Sequence, residues 1–219
     1  IDDFDHQLII KVASIQKLRL QVYFIDNEEY FPSKIMFHDA EGNFMLNNDE
    51  RMIFYCKGVI ETVRKLGWAP DVIHCQGWFS SLVPMYIKKI FSEEPLFDNV
   101  KIIYSVFDNG FRGALSNSLV EKLLFENLQE EELSRIIKPT VNNLHKFAID
   151  YADALVQASP VIDKDVLSHI KSSGKPFMQY PGDENYINSY QNFYQQFFGE
   201  SEDFTGVEEE LEEIVLTEN

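Results

Sequence analysis

Disulfide chemistry is the first thing this sequence lacks: among 219 residues only Cys56 and Cys75 are cysteines. Two thiols make no disulfide framework, and the composition suits a reducing cytoplasm, the expected location. No run of about 18 apolar residues occurs, so no membrane-spanning helix is expected. Positive charge is scarce, with 19 Lys/Arg against 36 Asp/Glu and a net charge of −17. Nucleic acid and anionic membrane both reward positive surface, so neither is an expected partner. Neither the P-loop pattern nor GxGxxG occurs among the 10 glycines. CxxC and HxxxH spacings are missing too, and no metal is expected. The chain opens on Ile1 rather than Met, which reads as a cut or an omission, and shows no secretory signal.

What is present suffices for a core: 45% of residues are hydrophobic and 14% aromatic. The length favours one α/β domain, taken as residues 1–198. Residues 199–219 carry nine Asp/Glu and no Lys/Arg, about half of the net charge, and read as an acidic disordered tail. Within that tail Val207–Leu216 has the pattern of an acidic amphipathic helix.

Leu8–Ile15 and Leu18–Ile25 are β-rich and predict a hairpin. The segment from Asp26 to Asn48 is polar and turn-rich and reads as irregular surface. Asp49 is placed to cap a helix running to about Leu66, ended by Gly67. Apolar strands are predicted at Asp71–Cys75, Lys101–Val106, Ala154–Ala158 and Phe177–Tyr180. Helices are predicted near Phe79–Phe91, Ser118–Phe125, Glu131–Ile137 and Thr140–Tyr151, with another from Pro160 to Ser172. Strands alternating with helices imply right-handed βαβ units on a parallel sheet. The fold class is α/β, a Rossmann-like three-layer sheet with helices on both faces. A closing helix over Glu184–Phe198 carries aromatics at 186, 190, 193, 194, 197 and 198. That stripe either docks on the domain or joins two copies in a homodimer.

In such sheets ligands meet the carboxyl ends of the strands. The candidates are Cys75–Trp78, Phe107–Gly113 and Ser159-Pro160. VIHCQGW (72–78) raises metal and thiol chemistry, but adjacent strand residues point to opposite faces, so His74 and Cys75 cannot grip one ion. Cys75 as a nucleophile would need a base and an electropositive setting, and a buried structural thiol is the commoner outcome. FDNGFRG (107–113) offers two glycines and Arg112 to an anion, and reads equally as an ordinary turn. The carboxylates Asp26, Glu28, Glu29, Asp49 and Glu50 read as solvated loop or helix-start charges.

Several segments together resemble the N-terminal domain of bacterial glycogen synthases and plant starch synthases, the family-5 glycosyltransferases. VYFIDNEEYF (22–31), LNNDERMIFYCKGVIE (46–61) and PDVIHCQGWFSSLVPMYIK (70–88) are similar to family blocks. So are VKIIYSVFDNGFRG (100–113) and AIDYADALVQASPVIDKDV (148–166). The resemblance implies one half of a GT-B enzyme, in which glucose passes from ADP-glucose to an α-1,4-glucan. It implies neither a metal nor a bound cofactor. The acceptor lies largely against the N-terminal domain and the donor against a second one, which should follow about Pro181.

Within the motifs the family His and Asn fall at Phe107 and Asp108, and its Tyr-Gln falls at Phe111-Arg112. His74 is kept, but the second His and the Asp of HxHDW fall at Gln76 and Gly77, while Trp78 and Gly113 match. The family's Lys-Thr-Gly-Gly loop and first strand should precede Ile1. The ligand-face candidates are therefore His74, Gln76, Gly77, Trp78, Phe107, Asp108, Asn109, Arg112 and Gly113, with no catalytic residue among them. The expectation is an acceptor-side domain, weak or inactive alone. The alternatives are a non-catalytic glucan-binding or regulatory domain, and half of a split transferase whose donor domain is a separate chain. The expected ligand is an α-glucan or a sugar nucleotide.

Overall fold

The computed structural model describes residues 6–32, 36–126 and 128–198. In chain order these form strands β1 (Ile9–Ile15) and β2 (Leu20–Asp26), helix α1 (Asn48–Leu66) and strand β3 (Val72–Gln76). A short α2 (Val83–Met85) precedes β4 (Lys101–Val106), and three helices follow: α3 (Ser118–Leu124), α4 (Glu130–Leu133) and α5 (Val141–Tyr151). Then come β5 (Ala154–Gln157), α6 (Lys164–Ser172), β6 (Phe177–Met178) and α7 (Tyr186–Phe198).

Strands β3, β4, β5 and β6 form one parallel sheet in that order, the α/β Rossmann-like arrangement expected of its apolar strands. Alternation along β4 sends Ile102, Tyr104 and Val106 into the main core and Ile103 and Ser105 to the opposite face, all of them buried. Cys75 lies level with Tyr104 and shares its face. His74 faces the other way, its Nε2 2.7 Å from Ser105 Oγ. Among the described residues no strand pairs with the outer side of β3. The strand order never reverses, so the carboxyl ends of β3 and β4 open at the edge of the sheet.

β1 and β2 form the expected hairpin, closed by a 3-10 turn at Gln16–Leu18 and Arg19 at φ +50°. It is a separate two-stranded sheet. Gly67, at φ +68°, ends α1 in the left-handed conformation that glycine adopts without cost.

Four local expectations need correction. Asp49 is not a solvated cap. It sits inside the first turn of α1, 1% exposed, with Oδ2 2.7 Å from Lys122 Nζ, and Glu50 pairs with the same lysine. Asp26 is not a free charge either, since it pairs with Lys11, whereas Glu28 and Glu29 are exposed loop charges as expected, Glu29 3.3 Å from His6. Pro160 does not open a helix. Asp163 caps α6 instead, its carboxylate accepting from Asp165 N at 2.8 Å, while Gln157 Nε2 holds the Ser159 and Pro160 carbonyls in a turn. The helix after Trp78 is composite: a 3-10 turn (Trp78–Ser80), α2 and a π turn (Tyr86–Ile90).

The segment from Asp26 to Asn48 is irregular but not simply surface. Tyr30 and Asn27 are buried, and Asn27 Oδ1 accepts from the backbone of Glu29 and Tyr30. Arg51 of α1, 1% exposed, donates to Tyr30 O at 2.6 Å and to Asn48 Oδ1, which ties this segment to α1.

The chain divides into two compact units, residues 1–180 and 181–219. In the second, α7 carries ring pairs four residues apart: Tyr186–Tyr190 at 4.8 Å and Phe193–Phe197 at 5.5 Å between centroids. The acidic tail and the amphipathic pattern of Val207–Leu216 lie outside the described residues.

Candidate functional site

The site grows from the exits of β3 and β4. Gly77 follows β3 at φ 72° and ψ 174°, a region that essentially only glycine occupies. Its amide donates to Ser105 O at 3.0 Å, so the chain turns while still bonded to β4. Its carbonyl accepts from Tyr104 Oη at 3.2 Å, and Tyr104 Oη also meets His145 Nδ1 at 2.8 Å. Both bonds are satisfied together when Nδ1 carries the proton. Burial holds His145 and His74 neutral, each pushed down to about 4.

Turning at Gly77 delivers Trp78 inward, 2% exposed, into an aromatic cluster. Phe37 lies 4.8 Å from the Trp78 ring and 5.1 Å from Phe79. Phe111 meets Trp78 edge-on at 4.8 Å and stacks on Phe44 at 5.0 Å. The Phe37–Phe44 loop is held locally. Asp39 Oδ1 accepts from Glu41 N and Asn43 N, and Met45 N donates to Phe37 O at 3.0 Å. Asn48 at the start of α1 donates from Nδ2 to the same Phe37 carbonyl. The Asn43 hydrogen bonds keep the Asp39 carboxyl below its usual range.

These elements enclose a cavity of about 390 Å³ lined by Phe37, His38, Phe44, Trp78, Asn109, Gly110, Phe111 and Arg112. A second, of about 190 Å³, lies on the other side of Phe37 and Trp78 and adds Met36, Tyr55, Gln76, Gly77, Phe79 and Ser80. The larger falls in the size range of small-ligand sites. Neither is lined by Asp or Glu. Arg112 is exposed and makes no ion pair among the described residues, so its guanidinium is available at the rim. Gly110 permits the wall to close: a Cβ there would meet Val141 Cγ2 at 2.6 Å.

Of the expected site residues, Gln76, Gly77, Trp78, Asn109 and Arg112 line the cavities. Phe107, Asp108, Gly113 and His74 do not. Phe107 is half-buried behind Gly77, 4.0 Å from where a Gly77 Cβ would sit. The Asp108 amide donates to Ser159 Oγ at 2.9 Å, which is how the Ser159-Pro160 exit meets this loop. Gly113 takes φ +86°, with open space where a Cβ would sit. His74 lies on the far face of the sheet. The lining residues missed are Met36, Phe37, His38, Phe44, Tyr55, Phe79 and Ser80, while Gly110 and Phe111 fall inside the expected Phe107–Gly113 exit without being singled out. For Phe37 and Phe44 the one sequence signal is that they flank the Asp39–Gly42 turn.

Both cysteines are free thiols and buried. Burial pushes the Cys56 thiol up to about 12 and Cys75 higher still. Among the described residues no group of three or more His, Cys, Asp or Glu could hold a metal ion, and no helix is long and apolar enough to cross a membrane.

A parallel α/β sheet with helices and an aromatic cavity at its strand ends defines a Rossmann-like domain. The starch synthase catalytic domain model matches residues 2–176, and the chain belongs to that family, the glycogen and starch synthases. It is 32% identical over 163 residues to the glycogen synthase of Chlorobium luteolum, covering 73% of this chain and 32% of that protein. The glycogen synthase of Chlorobium limicola is 30% identical over 165 residues, covering 74% and 33%. In fold it matches the catalytic domain of starch synthase IV from Arabidopsis thaliana bound to ADP and acarbose. There the TM-score is 0.62 at 18% identity, over 80% of this chain and 37% of that one. The chain spans about a third of the length of these curated relatives.

Proposed function

We propose that this chain is the acceptor-side domain of a glycogen/starch synthase-like protein and binds α-1,4-glucan in the aromatic cavity. The observation that carries the reading is the wall made by Phe37, Phe44, Trp78 and Phe111 with Arg112 and Asn109 at its rim. Sugar rings present apolar faces to aromatic rings and hydroxyls to planar polar groups, and this wall offers both. Glucosyl transfer by this chain alone is disfavoured. The family's polar group falls at Phe107, whose half-buried ring offers no hydrogen bond to a reacting sugar. At Gly77 the family carboxylate is replaced by backbone in a conformation that admits little besides glycine.

Two assays on the purified chain test this. Co-sedimentation with glycogen should pull the chain down, and its absence would sink the glucan reading. Radiolabelled ADP-glucose should give no incorporation into glycogen, and robust incorporation would make the chain a complete transferase.

A further inference from the structure

Among the described residues, one face of the β1–β2 hairpin keeps large apolar side chains exposed. Cross-strand register places Lys11 with Phe24, Ala13 with Val22 and Ile15 with Leu20 on that face. Phe24 is 53% exposed, Leu20 47% and Ile15 44%. The opposite face is covered only at its base, where Ile25 Cδ1 lies 3.1 Å from where a Gly58 Cβ would sit, and Val12 on it is 54% exposed toward the tip. A two-stranded ribbon is marginally stable alone, and an apolar ribbon face of this kind marks an interaction surface.

Charge says what covers it. From Ile9 to Asp26 the hairpin has Lys11, Lys17 and Arg19 against one acid, Asp26, which pairs with Lys11, in a chain of net charge −17. Two copies repel through most of their surfaces, but far less here. Lys17 and Arg19 sit at the tip and form no ion pair among the described residues. Glu28 and Glu29 follow the base of the hairpin, about 23 Å away for a seven-residue strand. Laid antiparallel, two such hairpins put each basic tip beside the other's acidic base, with the apolar pairs between. The surface is therefore self-complementary, as a two-fold interface must be.

We propose that this hairpin face is a self-association surface whose occupant is the same face of a second copy of this chain. It does not depend on the glucan reading, because the cavity and the hairpin share no residue.

Sedimentation velocity on the full 219-residue chain, from about 1 to 300 µM, tests it, since a small interface gives modest affinity. The expected result is concentration-dependent dimer, weakened at least tenfold in Leu20→Asp/Phe24→Asp. The charge-swapped variants Lys17→Glu/Arg19→Glu and Glu28→Lys/Glu29→Lys leave the apolar face intact. Each should dimerise more weakly alone, and mixing the two should recover the dimer. A monomer throughout the range, a dimer indifferent to the apolar change, or no recovery on mixing would overturn the proposal.

Discussion

Phe44 stacks on Phe111, ring centroids 5.0 Å apart and planes 25° from parallel, and so joins the loop before α1 to the exit of β4. The pair closes one wall of the cavity, and nothing else in it is so nearly face to face. Replacing either ring by Ala should therefore open the wall more than it unsettles the fold. Phe111 is only half-buried, so Phe111→Ala should cost about 1–3 kcal/mol in stability, below a full core truncation. Maltooligosaccharide affinity should fall at least tenfold, read by affinity electrophoresis in glycogen-containing gels.

Gly77 is tested by strain alone. A Cβ there would meet nothing closer than 3.7 Å, yet the φ and ψ forbid it. Gly77→Ala should destabilise by about 1–3 kcal/mol in urea denaturation, and Gly77→Asp should not restore a family-like active site.

Gly110 poses the converse case, since its obstacle is a neighbour. Gly110→Ala drives a methyl into Val141, and the loop carrying Asn109, Phe111 and Arg112 must shift. Thermal melts should show a loss that Val141→Ala partly restores in the double variant, a non-additivity that a purely backbone effect would not give.

Acidification should unfold the protein early. His74 and His145 are held down at about 4, below the ordinary 6.5, so the unfolded chain binds more protons than the folded one between those values. Their contribution is full above about pH 6.5 and is lost as pH falls toward 4, on the order of a few kcal/mol for the pair. The melting temperature should drop between pH 7 and pH 5, and the slope should be shallower in His145→Gln.

Much of the scaffold was legible and half of the site was not, for a physical reason. The apolar run KIIYSV fixes β4 residue for residue, because a strand buried on both faces has nothing to hide. Gly67 likewise announces the end of α1. By contrast Phe37 and Phe44 have no periodicity, and each finds its partners far along the chain at Trp78 and Phe111. Asp49 misled because a lysine 73 positions away, Lys122, buries it. Pro160 misled because Asp163, three residues on, is the stronger cap.

The most direct test of the central claim is calorimetric titration of maltoheptaose into the chain and into Phe111→Ala and Arg112→Ala. Saturable binding that both substitutions weaken at least tenfold, with the fold intact by circular dichroism, is the predicted result. No heat of binding in the unsubstituted chain, or affinity indifferent to both changes, would contradict the assignment of the aromatic cavity as a glucan site.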